Sequence, residues 1–124
     1  MQSPPKKVLY AEDEITSRKL LKISLNKNGI ECDLAENGKT AIEMCQNNHY
    51  DLVILDQYMP GLNGDAIAKK IKAFKPDLPL IAITSDDELV GYLKNSGFIE
   101  VIIKPIYKHN FLFKIKKYLK LYEK

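Results

Sequence analysis

The sequence predicts an α/β fold: a single doubly wound, five-stranded parallel sheet flanked by five helices. Three observations predict it. Five short apolar runs recur along the chain, each long enough for a strand buried on both faces or on one. The stretches between them place apolar residues at helical spacing. The chain has 124 residues, enough for one core and too few for two.

Val8-Leu9-Tyr10-Ala11 is the first strand, ended by the charges Glu12-Asp13-Glu14. From there to Asn28, Ser17, Leu20, Leu21, Ser24 and Leu25 fall on one helical face, and Gly29 suits the helix end. Ile30, Cys32 and Leu34 alternate with Glu31 and Asp33, the period of a second strand. Asn37-Gly38 is a turn signal, followed by a short helix with Ala41, Ile42 and Cys45 inward. Residues 51–56 form a third strand bracketed by Asp51 and Asp56, and residues 58–64 are a loop. Ile67, Ile71 and Phe74 mark the next helix, which ends before Pro76. Residues 80–84 are the fourth strand. Asp86-Asp87-Glu88 loads a helix start with negative charge, which the helix dipole favours, and Gly97 closes that helix. Val101-Ile102-Ile103 is the fifth strand, stopped by Lys104-Pro105, and Phe111, Ile115, Tyr118, Leu119 and Tyr122 mark the buried face of a last helix. Right-handed crossovers limit the arrangement strongly, and the common solution for five such units is the flavodoxin-like order 2-1-3-4-5.

Composition narrows the class. Hydrophobic residues make up 45% and charged residues 28%, so disorder is excluded. No apolar run approaches the roughly 18–20 residues of a membrane helix. The start, MQSPPKK, lacks the apolar stretch of a signal peptide. Two cysteines, Cys32 and Cys45, are too few for a disulfide framework or a structural zinc site; they read as small core hydrophobes in a reduced, cytoplasmic setting. The net charge of +3 is split, because residues 104–124 hold seven Lys against one acid, Glu123.

In an open α/β sheet the binding crevice lies outside the carboxyl ends of the strands. Glu12 and Asp13 follow the first strand, Asp56 ends the third, Thr84 and Ser85 end the fourth, and Lys104 follows the fifth. Each alone reads as an ordinary loop residue; their convergence on one sheet edge is what points to a site. Three carboxylates repel one another, so a cation belongs among them. Oxygen ligands of this kind suit Mg²⁺. Metal, ammonium and hydroxyl around one carboxylate are the parts needed to receive a phosphoryl group.

The chain resembles the receiver domain of bacterial two-component response regulators. Ala11-Glu12-Asp13-Glu14, Asp56-Gln57-Tyr58-Met59-Pro60 with Gly64, Thr84-Ser85 and Lys104-Pro105-Ile106 carry the resemblance, in order and on the right elements. It spans residues 6–122, with 1–5 as a tail or linker and 123–124 as a C-terminal tail. The resemblance implies that Asp56 is the phosphoacceptor, served by a histidine kinase or histidine phosphotransfer protein. It implies Asp13, Asp56 and the Tyr58 backbone carbonyl as Mg²⁺ ligands, with Glu12 acting through water. Lys104 would bind the phosphoryl group, Thr84 would be the switch hydroxyl, and Lys104-Pro105 a cis bond. Pro60, Gly64 and Pro105 would be structural. The implied role is regulatory phosphoacceptance, with phosphotransfer and dephosphorylation catalysed by the domain itself, and not a separate enzyme activity.

The sequence departs from the family at Val101, where an aromatic switch residue is usual, and at Glu12, where Asp is common. Tyr58 and Asp86 occupy positions that tune phosphoryl lifetime in relatives. Leu112, Phe113 and Tyr92 fall outside the buried stripes, marking the helix 4–strand 5–helix 5 face as a possible dimer or output surface. The lysine-rich last helix reads first as a solvated face. Gly38-Lys39-Thr40 mimics a P-loop tail but lacks the glycine required five residues earlier, where Asp33 stands. His49 and His109 lack ligand-spaced partners and read as surface residues. A degenerate receiver-like module regulated by partner binding, supported by Val101 alone, is the rival reading. A flavin-binding flavodoxin would need a Ser/Thr/Gly-rich phosphate loop where this chain has acids. The receiver uses the whole length, so no DNA-binding output domain is expected within these residues.

Overall fold

The computed structural model describes residues 4–106 and 110–121. Strands β1 (Lys7–Ala11), β2 (Glu31–Ala35), β3 (Leu52–Asp56), β4 (Leu80–Thr84) and β5 (Glu100–Ile103) alternate with α1 (Ile15–Lys27), α2 (Gly38–Asn47), α3 (Gly64–Phe74), α4 (Val90–Asn95) and α5 (Phe111–Tyr118). A 3₁₀ turn, Asp87–Leu89, leads into α4. The sheet is parallel throughout, in the order β2-β1-β3-β4-β5. No helix among the described residues is long and apolar enough to cross a membrane.

Strand periodicity divides the core into two layers. Leu9, Ala11, Val53, Leu55, Leu80, Ala82 and Val101 pack with buried residues of α2, α3 and α4. Val8, Tyr10, Leu52, Ile54, Ile81, Ile83 and Ile102 pack with Leu21 and Leu25 of α1, Phe111 and Ile115 of α5, and Leu119 just after it. β3 and β4 are buried at every position. That burial is why their sequences read as continuous apolar runs without alternation. Helix starts are set by side chains: the Glu14 carboxylate accepts from Ser17 N, and Asn37 Oδ1 accepts from Thr40 N at 2.8 Å.

Three expectations need correction. Leu20 is not core; it is 53% exposed, one residue off the stripe that Leu21 and Leu25 bury. Leu112 is half-buried and packs against the α1/α5 core layer, so it is withdrawn from the exposed surface. Tyr118 is only half-buried, because its hydroxyl donates to Glu100 Oε1 at 2.9 Å. His109, Tyr122 and the outermost residues of both tails lie outside the described residues.

Two glycines are explained by close approach. Gly38 packs its α-carbon against the core: a Cβ there would meet Ile67 Cδ1 at 2.7 Å. Its place in the Gly-Lys-Thr tripeptide is thus a packing requirement. Gly64 opens α3, and a Cβ there would meet the Asp56 carbonyl oxygen at 2.9 Å and Gln57 Cα at 3.1 Å. Because those atoms are backbone, they cannot swing aside.

Gly64→Ala is therefore expected to destabilise the chain by about 1–3 kcal/mol in urea unfolding. Gly91→Ala, on an α4 position with open space around it, should be neutral or stabilising. Equal effects of the two would refute the close-approach account. Burial also raises the thiols, Cys32 to about 12 and Cys45 to about 11. Neither should react with a thiol reagent at pH 8 until the protein unfolds. Rapid labelling of the native chain would contradict this.

Candidate phosphoacceptor site

The carboxyl ends of β1, β3, β4 and β5 bring the predicted residues to one edge. Asp56 is the last residue of β3 and is 2% exposed. Its Oδ1 accepts from the Tyr58 backbone N–H at 3.0 Å, and its Oδ2 accepts from Lys104 Nζ at 2.6 Å. Glu12 follows β1 and is 1% exposed. Its backbone N–H continues the β1–β2 pairing by donating to Ala35 O at 3.0 Å. That bond turns its side chain into the site. Glu12 Oε1 accepts from Lys104 Nζ at 3.3 Å, and Oε2 accepts from Glu14 N at 3.2 Å. Lys104 itself is placed by its backbone N–H, which donates to Thr84 O at 2.9 Å. The Lys104-Pro105 bond is cis, as expected.

Two buried carboxylates thus face one ammonium. Burial pushes the Glu12 carboxyl up to about 7, and its hydrogen bond and like charge with Asp56 add to this, followed by Asp13. The Glu14 amide pulls the other way. Burial lowers the Lys104 ammonium, but the Asp56 and Glu12 carboxylates outweigh it and leave it raised. Lys104 therefore remains charged, and Glu12 takes up a proton more readily than a solvated carboxylate does.

The other predicted residues take different stations. Asp13 is exposed, at the mouth of the site beside Glu12. Thr84 is fully buried, and its Oγ1 accepts from Asp86 N at 3.1 Å. Asp86 in turn caps the 3₁₀ turn by accepting from Glu88 N at 2.9 Å. Tyr58, two residues after Asp56, is 50% exposed. Val101 is buried in the α2–α4 layer, so it is core and carries no ring near the surface. Met59 is buried while Pro60 is exposed.

The donor set fits a hard divalent cation. It offers only oxygens, from the buried carboxylates of Glu12 and Asp56 and the exposed carboxylate of Asp13. Among the described residues no three acidic, His or Cys side chains converge closely enough to hold an ion as they stand. Mg²⁺ does not need three, since it binds through one or two carboxylates and keeps several waters. A cavity of about 410 Å³ opens beside the site, lined in part by Tyr10, Glu12, Leu20, Lys104 and Ile106.

Several supporting residues are not visible in sequence motifs. The Tyr10 hydroxyl, inside an apolar strand, reaches Glu12 Oε1 at 3.4 Å. Arg18, the sole arginine, donates from Nη1 to the Glu12 carbonyl at 2.8 Å. Gln57 is buried and joined to Asp65 by hydrogen bonds of 3.2 and 3.1 Å. The clues were a polar residue in an apolar run and an isolated arginine one turn after an acid pair. Neither clue names its partner.

Comparison with known proteins agrees with this architecture. The response regulator receiver domain family matches residues 8–116. The transcriptional regulatory protein ResD of Bacillus subtilis is 31% identical over 121 residues, covering 96% of this chain and 50% of ResD. The autoinducer 1 sensor kinase/phosphatase LuxN of Vibrio campbellii is 35% identical over 85 residues, 68% of this chain but only 10% of LuxN. The chain thus spans at most about half the length of these relatives. Response regulator TrrA of Thermotoga maritima, solved in complex with Mg(2+)-BeF, is 35% identical with a TM-score of 0.84, covering 91% of this chain and 98% of that one. With its strand order, its gathered acids and lysine and this match over most of its length, the chain belongs to the response regulator receiver domain family.

Proposed function

We propose that this domain accepts a phosphoryl group on Asp56 from a phosphohistidine of a histidine kinase or phosphotransfer protein. The observation that carries this is the buried Asp56 carboxylate paired at 2.6 Å with Lys104 and flanked by Glu12. An Asp56 oxygen attacks phosphorus in line. The phosphorus–nitrogen bond of the donor breaks, and the leaving imidazole keeps the electron pair and takes up a proton. Lys104 holds the Asp56 oxygens before transfer and turns to the phosphoryl oxygens once the new oxygen–phosphorus bond has made Asp56 an acyl phosphate. The Thr84 hydroxyl, which accepts from Asp86 N, still has its proton to donate to a phosphoryl oxygen.

Asp13, Asp56 and the Tyr58 carbonyl would hold Mg²⁺, with Glu12 reaching it through water. When bound, the ion neutralises charge on the transferred group. TrrA's complex with Mg(2+)-BeF supports the assignment by similarity. Tyr58 shields one side of Asp56, and Asp86 sits beside Thr84; both are proposed to tune the phosphoryl lifetime. The domain, taken as residues 6–122, acts as a regulatory phosphoacceptor and not as an enzyme on a separate substrate. Its output or dimer surface is proposed on the α4–β5–α5 face, where Phe113 is 70% and Tyr92 53% exposed. Leu112, half-buried against the α1/α5 core layer, is not part of that exposed set.

Incubation with acetyl phosphate and Mg²⁺ should add the mass of one phosphoryl group, and Asp56→Asn should abolish the gain. Wild-type protein with no Mg²⁺-dependent gain and no beryllofluoride binding would sink the proposal and leave partner binding alone. A second expectation concerns the unmetallated chain. Asp13→Ala removes one of the mutually repelling carboxylates, so it should raise the apo melting temperature while weakening Mg²⁺ binding. An unchanged Mg²⁺ titration would remove Asp13 from the ligand set.

A further inference from the structure

Asp65, in the first turn of α3, joins three segments. Its Oδ1 accepts from Gln57 Nε2 at 3.2 Å, and its own N–H donates to Gln57 Oε1 at 3.1 Å. The Gln57 amide is thereby closed on both sides by a single residue. Gln57 directly follows Asp56, is 4% exposed, and donates from its backbone to Ile83 O on β4 at 2.8 Å. The acceptor loop is therefore pinned to α3. On its other side, Asp65 Oδ2 accepts from the Tyr92 hydroxyl of α4. That bond holds the Asp65 carboxyl below the usual carboxylate range and raises the phenol.

A second line also reaches α4. Thr84 Oγ1 accepts from Asp86 N, and Asp86 caps the 3₁₀ turn that runs directly into α4. Helix α4 is thus tied to the site from its leading end and from its outer face. A displacement of the Thr84 hydroxyl shifts Asp86 and the turn, and with them Tyr92. The bond to Asp65 is the one such a shift loads, because it lies at the half-exposed end of a long side chain. Val101 offers no ring or hydroxyl as another carrier.

We propose that Gln57, Asp65 and Tyr92 form a strap that holds α4 in its resting position against the acceptor loop. Occupation of Asp56 draws Thr84 toward the phosphoryl group and works against the strap; this trigger rests on the phosphoacceptor reading above. The strap stabilises the resting arrangement alone, so cutting it shifts the balance toward the occupied one. By reciprocity, any contact that takes Tyr92 from Asp65 favours occupation of Asp56. Gln57 and Asp65 are positioning residues, since neither touches the transferred group.

The test uses the full 124-residue chain with Tyr92→Phe, Asp65→Asn and the double variant. Beryllofluoride is titrated in the presence of Mg²⁺ and followed by amide resonances in NMR. Tyr92→Phe keeps the ring and should bind beryllofluoride roughly threefold to tenfold more tightly, the range one hydrogen bond supplies. Asp65→Asn should shift it the same way, and the double variant no further than the larger single. Unchanged affinity in both singles, or additive shifts, would overturn the strap. If wild-type protein binds no beryllofluoride, the phosphoacceptor reading fails, and the strap is judged in the free protein. There Tyr92→Phe must shift the Gln57 side-chain amide resonances and speed exchange of the α4 amides; unaltered signals refute it.

Discussion

The site is organised by one arrangement: two buried carboxylates sharing one ammonium. Glu12 and Asp56 are almost wholly removed from water, and each would be costly to keep there alone. Lys104 lowers that cost for both, at 3.3 and 2.6 Å. Asp56 ends β3, while Glu12 and Lys104 directly follow β1 and β5, so the pairing also requires those three strand ends to be level. Parallel pairing of the central strands meets that requirement, with Ala11 opposite Leu55 and Thr84 opposite Ile103. The balance of charge, and not any one bond, makes the edge responsive. Adding a divalent cation or removing the Asp56 charge alters what Lys104 and Glu12 must neutralise.

Around that arrangement lies a shell of neutral and charged groups that hold the acids still. Arg18 grips the Glu12 carbonyl, the Glu14 amide holds one Glu12 oxygen, and the Tyr58 amide holds one on Asp56. Gln57 and Asp65 lock the loop to α3, while Gly64 permits the close approach. The Lys104 side chain and the exposed Asp13 are the charged groups of the site that water reaches.

Much of the fold was legible because burial leaves a direct mark on sequence. β3 and β4, covered on both faces, appear as unbroken apolar runs, and the helices as stripes that end at Gly29 and Gly97. The first ring of the site was legible for a related reason, since strand ends in such a sheet point to a common edge. Leu20 and Leu112 were misjudged because each sits beside a buried stripe, where one residue of helix rotation decides exposure. The Gln57–Asp65–Tyr92 contacts were not legible. They depend on how far α3 and α4 lean toward each other, a distance set by packing and not by any local pattern.

The two-layer core has a consequence for how Asp56 and Thr84 are placed. Asp56 shares strand parity with Leu52 and Ile54, which face α1 and α5. Thr84 shares parity with Leu80 and Ala82, which face α2 to α4. The Asp56 carboxylate and the Thr84 hydroxyl thus address opposite layers of the same sheet from neighbouring strands, across the pairing of Asp56 with Ile83. The sheet separates the two core layers, and the two side chains come together at its carboxyl edge. Adding or deleting one residue in β4 would exchange its faces, leaving an apolar strand of similar composition but with Thr84 turned toward α1 and α5.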